Sequence, residues 1–259
     1  MNVQLEDSND NESSSSSGEL LQLSILKTLH AIADALPQFL LPYLPLLFSN
    51  HALPSASLRR GAPSVRAAAV QVETALSSKV QIRQLIPALS QALSKTLKTE
   101  GSENWQEACS IMNVMNIAVE SSQRSELSPV IGKIVNGVLM AYGYEGDDGD
   151  SSRPQMLQSA NKCLLSLVMK LSEAQLRPLY ARLREWRGDI QGKEAVSSIR
   201  RYAFWSLSAE LSKNLRSIFL PCLTSVITDV IDELVSLSSI VTGCFTALLK
   251  LVLTFFAVH

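Results

Sequence analysis

The side chains with chemistry to offer are few and scattered. There are three histidines, His30, His51 and His259, and four cysteines, Cys109, Cys163, Cys222 and Cys244. The cysteine gaps of 54, 59 and 22 residues hold no CxxC pair and no zinc-finger spacing. No histidine stands near a cysteine or an acid cluster, so neither a metal centre nor a nucleophile–base pair has its material. GxGxxG and Walker loops are also missing. Free, core-type thiols in a reducing compartment are the expectation.

Two acidic groupings are candidates for more. Asp229 and Asp232, with Glu233 beside them, can share a helix face, which permits acid–base work in principle. A polar outer face or helix end is the simpler reading. In the loop GYEGDDGDSSRP (143–154), Asp148, Asp150 and Ser152 imitate the first ligands of an EF-hand. Its sixth position is then Arg153 rather than glycine and its twelfth Ser159 rather than glutamate, so a solvated loop is expected. The sequence therefore predicts no enzyme, no cofactor, no metal and no small-molecule substrate.

The charged stretch with content is basic. Residues 170–216 hold ten Lys and Arg against five acids. Phosphate or protein contact is expected, if anywhere, at Arg177, Arg182, Arg184, Arg187, Arg200 and Arg201. Arg182, Arg184 and Arg187 do not fall on one helical stripe, and Trp186 and Trp205 read as core rather than as base-stacking platforms.

The elements that position these residues are helical. Residues 1–19 carry five acids, no base and a serine run, and are expected to be a disordered lead. From Leu20 the apolar residues Leu21, Ile25, Leu29, Ile32, Ala33 and Leu36 recur at helical spacing. Pro37, Pro42 and Pro45 then break up the apolar run that reaches residue 50. Residues 51–64 read as a Pro/Ser/Gly linker, with Ser64 capping the next helix. The helical domain is expected over 65–235, with segments at 65–77, 82–97, 103–120, 128–142, 155–171, 172–187, 194–214 and 215–235. In the last, Ile218, Leu223, Val226, Ile227, Val230, Ile231 and Leu234 are the expected inner face. No convincing alternating strand occurs. A pair of helices takes roughly 40–45 residues, the period of HEAT-type repeats, so the fold class is all-α, a HEAT/armadillo-like solenoid of antiparallel helix pairs without a sheet.

At KLSEAQLRPLYARLREW (170–186) the sequence becomes specific. Val168, Met169, Lys170, Leu171, Ser172 and Glu173, followed by Arg177, Pro178, Leu179 and Trp186, resemble a block in the C-terminal region of the large HEAT-repeat subunit of the U3 small nucleolar ribonucleoprotein. Leu176 stands where phenylalanine is usual in that family. RRYAFWSLSAELSKNLRSIFLPCL (200–223) is similar to the family's next segment, with Cys222 where an aromatic is common. The resemblance implies a non-catalytic scaffold of the small-subunit processome, acting in nucleolar pre-rRNA processing and linked rRNA transcription. Its implied partners are other processome proteins, U3 small nucleolar RNA and pre-rRNA, in the nucleus and nucleolus. Family members are much longer than this chain.

From Ile240 to Val258 the only charge is Lys250, which by hydropathy makes a candidate membrane span. Residues 236–259 are expected to lie outside the resemblance. If that tail is genuine, the competing reading is a tail-anchored membrane adaptor with a helical cytosolic domain. The overall charge fits the first reading once divided. The net of −1 includes nine acids in residues 1–19 and 145–150; without them, 15 acids face 23 bases. A basic helical body suits a ribonucleoprotein.

Overall fold

A computed structural model describes residues 9–49, 52–58, 62–99, 104–144, 152–188 and 194–236. Among these residues there is no strand. The chain divides into two compact units, Met1–Ile134 and Val135–His259. This division, and the inclusion of residues before 65 in the first unit, differ from the single helical domain expected over 65–235.

In the first unit, α1 (Asn9–Ala35) packs on α4 (Pro63–Lys79), while a 3-10 segment (Pro37–Tyr43) and α2 (Leu44–Phe48) lead to α3 (Leu53–Leu58). α5 (Ile82–Lys98), α6 (Asn104–Ser121) and the one-turn α7 (Arg124–Leu127) complete it. α2 lies on α5, and α3 sits against both α4 and α6. The apolar residues that recur at helical spacing in α4, α5 and α6 face inward. Val65, Val72 and Leu76, then Ile86, Leu89 and Leu93, then Ile111, Met112, Met115 and Val119 are all buried.

Five local expectations are corrected. α1 starts at Asn9, inside the stretch expected to be disordered. Extending an existing helix costs little per residue, even through serines. The inner face of α1 carries Leu26 and Ala33, while Leu21, Ile25 and Leu36 face solvent. The supposed linker contains α3, whose Leu53, Pro54 and Ser57 are buried. Pro54 is tolerated because N–H groups in the first turn of a helix make no intrahelical hydrogen bond that a proline would lose. Pro63 likewise takes the first position of α4, with Ala62 and not Ser64 at the N-cap. Finally, the helix expected from Ser128-Pro129 starts later, at Ile131, and a separate one-turn helix precedes it. α7 is opened by a capping box between Gln123 and Glu126, and α8 (Ile131–Tyr142) begins after the turn that holds Pro129.

The second unit contains most of α8, then α9 (Ser152–Val168), α10 (Glu173–Gly188), α11 (Glu194–Leu215), a 3-10 turn (Arg216–Phe219) and α12 (Leu220–Ser236). Ser172 precedes α10 as expected: its backbone N–H donates to Gln175 Oε1 at 3.1 Å. α11 packs on both α9 and α10. It ends where Arg216 takes φ 47°, a left-handed conformation that turns the chain into the 3-10 segment.

The core of this unit is aromatic. Tyr180 of α10 meets Phe219 edge-on at 5.2 Å and Phe204 of α11 at 5.7 Å, and Phe204 meets Trp205 at 5.1 Å. Buried hydroxyls and amides tie the helices together. Tyr142 donates to Asn161 Oδ1 at 2.5 Å, Asn161 donates to Ser206 Oγ at 3.3 Å, and the Tyr180 and Ser208 hydroxyls pair at 3.1 Å.

α12 turns only part of its expected inner face inward. Phe219, Cys222, Val226 and Val230 are buried, and Ile218, Ile227 and Ile231 are exposed. Replacing Val226, 1% exposed, with serine should therefore cost about 2–4 kcal/mol by urea denaturation, through lost apolar packing and an added hydroxyl. Ile231→Ser, at a site 57% exposed, should stay within about 0.5 kcal/mol of the parent. Comparable losses at the two sites would restore the expected phase.

Candidate protein and RNA contact site

The six candidate arginines all lie in the second unit, and the structure gives them different jobs. Positions 180, 184 and 187 are spaced to share one face of α10, so Arg184 and Arg187 continue the line of buried Tyr180. Arg184 donates from Nε and Nη2 to the two carboxylate oxygens of Asp229, at 2.5 and 2.6 Å. Arg187 Nη2 lies 3.6 Å from the same carboxylate, and its guanidinium stacks over Phe204 at 4.8 Å and Trp205 at 5.4 Å. One turn along α12 from Asp229, Glu233 lies 3.5 Å from Arg201 Nη1. Arg200 stacks on the Trp186 ring at 5.0 Å and donates to the Trp186 carbonyl at 3.3 Å.

Asp229 and Glu233 are both buried. This corrects the reading of that acidic group as a polar outer face. Asp229 shares its inward face with Glu233 four residues on, while Asp232 is exposed. A carboxylate taken out of water needs a partner, and α10 and α11 supply arginines at the matching level. The fork geometry of Arg184 suits two oxygens at once. Its hydrogen bond to Asp229 holds the guanidinium pKa above its ordinary value despite some desolvation.

Arg177 and Arg182 face solvent. Arg177 pairs with Glu173 one turn earlier at 2.9 Å, and Arg182 donates to Asn136 Oδ1 at 2.6 Å. An exposed pair of this kind holds its cation weakly, so it stays available to phosphate or carboxylate. Trp205 is fully buried and Trp186 stands at the edge beside Tyr142, at 5.9 Å between rings. Trp205 thus belongs to the core, as expected.

Among the described residues, no catalytic constellation is assembled. Among the described residues, no three His, Cys, Asp or Glu side chains gather to hold a metal ion. Asp148 and Asp150 lie outside the described residues. Burial pushes the Cys222 thiol up, away from the reactive thiolate. Along α9 and α11 an open groove of about 440 Å³ is lined by Gln158, Lys162, Tyr202 and Glu210 among others. It contains no buried charge and no nucleophile–base pair.

Sequence reading missed the buried carboxylate of the first unit. Glu73 on α4 is 6% exposed and accepts a hydrogen bond from Ser110 Oγ of α6 at 3.2 Å, and Ser110 lies 3.1 Å from Ser57 Oγ of α3. Burial raises its pKa from 4.5 to about 7, against the smaller opposing effect of the two serines. The only signal available was a glutamate between Val72 and Leu76 on an apolar face.

These carboxylates can be tested by stability. Asp229→Asn should destabilise the chain by about 2–3 kcal/mol, a buried-pair loss reduced because Arg184 is partly solvated. Arg182→Gln should cost less than about 0.5 kcal/mol. Equal losses in urea denaturation would contradict the assignment. Glu73 binds a proton more tightly folded than unfolded, so stability should fall as pH rises from 4.5 through 7. Glu73→Gln should flatten that dependence, gaining up to about 3 kcal/mol on the parent between pH 5 and pH 8. A gap that does not change with pH would contradict it.

Known proteins share parts of this sequence. Residues 142–257 match the BP28CT (NUC211) domain. The chain is 26% identical over 227 residues to an uncharacterised protein of Arabidopsis thaliana, covering 83% of this chain and 10% of that protein. It is 24% identical over 209 residues to human HEAT repeat-containing protein 1 (78% and 9%). It is also 24% identical over 231 residues to U3 small nucleolar RNA-associated protein 10 of Debaryomyces hansenii (85% and 12%). The chain thus spans about a tenth of the length of these relatives. No solved structure matches. The domain match runs to residue 257 and takes in most of the apolar segment expected to fall outside the family, correcting that boundary. Among the described residues, no single helix is long and apolar enough to cross a membrane; residues 240–258 lie outside them.

Proposed function

We propose, from its BP28CT (NUC211) domain and its kinship with HEAT repeat-containing protein 1 and U3 small nucleolar RNA-associated protein 10, that this chain is a non-catalytic scaffold in ribosome biogenesis. It acts within the small-subunit processome of the nucleolus, in pre-rRNA processing toward 18S rRNA and in linked rRNA transcription. The observation that carries this reading is the overlap between the domain match and the helical unit built by Tyr180, Arg184, Phe204, Trp205 and Asp229. The arginines that look RNA-binding in sequence mostly brace that unit, which is what a scaffold requires.

Contact with RNA or processome proteins falls on the cations left facing solvent. Arg177 and Arg182 are the contact residues in this reading. Arg184, Arg187, Arg200 and Arg201 are positioning residues that hold α10, α11 and α12 together. No small molecule is bound or turned over. Membrane attachment through residues 240–258 is the rival reading.

A fluorescently tagged copy should concentrate in nucleoli and be extracted by alkaline carbonate. Carbonate-resistant membrane association, with no nucleolar signal, would overturn the proposal. Purified chain should bind single-stranded pre-rRNA fragments with an affinity that falls with salt. Arg177→Gln with Arg182→Gln should lower the log–log salt slope by about 1–2. An unchanged slope would remove those two residues from the contact.

A further inference from the structure

Among the aromatic side chains described in the second unit, Tyr142, Tyr180, Phe204, Trp205 and Phe219 are buried, and Tyr202 of α11 is the one that is exposed, at 40%. Its ring lines the open groove of about 440 Å³ along α9 and α11, where Pro154 and Leu157 supply apolar surface. The floor of that groove is polar. Asn161, itself buried, accepts from the Tyr142 hydroxyl and donates to Ser206 Oγ at 3.3 Å, which fixes both groups. Gln158, Lys162 and Glu210 are exposed at the rim. Tyr202 also lines a smaller adjoining depression together with Arg153 and Tyr144. Arg153 and Lys162 stand nine positions apart on α9, about 13 Å along the helix.

We infer that this groove seats one base of a single-stranded RNA, stacked on Tyr202, with Arg153 and Lys162 taking the phosphates to either side. An aromatic face at the surface accepts any base, and cations along the same line hold the backbone. The Gln158 amide offers a donor and an acceptor to a base edge, and Glu210 offers an acceptor to an exocyclic amine. The volume lies within the range of sites that hold molecules of nucleotide size. Other occupants fit less well. An amphipathic helix needs an apolar groove, and this floor is made by Asn161 and Ser206. An acidic peptide meets Glu210, and a basic one meets Arg153 and Lys162. The tryptophans are already engaged: Trp205 is core, and the Trp186 ring is covered by Arg200. The inference rests on the RNA contact proposed above and adds base stacking to it, a contact that Arg177 and Arg182 do not provide.

The test titrates the full chain into a fluorescein-labelled single-stranded RNA of about 12 nucleotides, read by anisotropy over a range of salt. Tyr202→Leu keeps the apolar bulk and removes the ring. It should weaken binding about fivefold or more at every salt concentration and leave the log–log salt slope unchanged. Tyr202→Phe keeps the ring and should stay within about twofold of the parent. Lys162→Gln should lower the slope by about 0.7, the single-strand value for one phosphate. Circular dichroism should be the same for all of them. Irradiation of the same RNA carrying 4-thiouridine should crosslink it to the tryptic peptide that begins at Tyr202. Parent-like affinity of Tyr202→Leu, with affinity lost in Arg177→Gln with Arg182→Gln, would overturn the inference and leave the phosphate contact standing. Equal weakening by Tyr202→Phe and Tyr202→Leu would overturn the stacking role. Binding of a polyglutamate peptide abolished by Tyr202→Leu would overturn it by making the occupant an acidic protein. Absence of RNA binding by the folded parent would overturn both this site and the contact at Arg177 and Arg182.

Discussion

A buried carboxylate dictates the arrangement of the second unit. Asp229 is 4% exposed on a helix whose neighbours are mostly valine, leucine and isoleucine. Left alone, its charge would cost several kcal/mol, so the unit holds together only when Arg184 and Arg187 of α10 reach it. That requirement fixes the rotation of α12 and puts Val226 and Val230 inside. It also turns Ile227 and Ile231 outward and draws two arginines in toward the protein interior. Arg201 and Glu233 repeat the pattern one turn further, between α11 and α12.

The same constraint separates the arginines that brace the helices from those that face solvent. The stretch 170–216 is basic by composition, and composition says nothing about where each charge goes. Arg187 sits on two aromatic rings and beside Asp229, and Arg200 lies on Trp186. Arg177 and Arg182 face solvent. The second unit owes its shape to arginine–aromatic and arginine–carboxylate joints between helices rather than to apolar packing alone.

Helix existence and the stripes of α4, α5 and α6 were legible because their apolar residues recur at three and four positions over long runs. Two phases were not. In α1, Leu21 and Ile25 compete with Leu26 and Ala33 for the inner face, and periodicity cannot choose between two apolar sides of one helix. In α12, the choice fell to Asp229, whose burial depends on an arginine 45 residues away in sequence. The short α3 was hidden by the proline and serines that usually mark a loop, because its stability comes from Leu53 and Ser57 packing against α4 and α6. Of the candidate site, the arginines were visible and their partners were not. Glu73 was invisible altogether: a lone acid within an apolar stripe gives no spacing to read.

If this helical body serves early small-subunit assembly, it should travel with the RNA of that assembly. Affinity capture of a tagged chain under nuclease-free conditions, with quantification of the co-purified RNA, measures this directly. Enrichment of U3 small nucleolar RNA together with early small-subunit precursors, over unrelated small nuclear RNAs, is the expected result. Recovery of a soluble, folded chain with U3 RNA at background level would contradict the scaffold role.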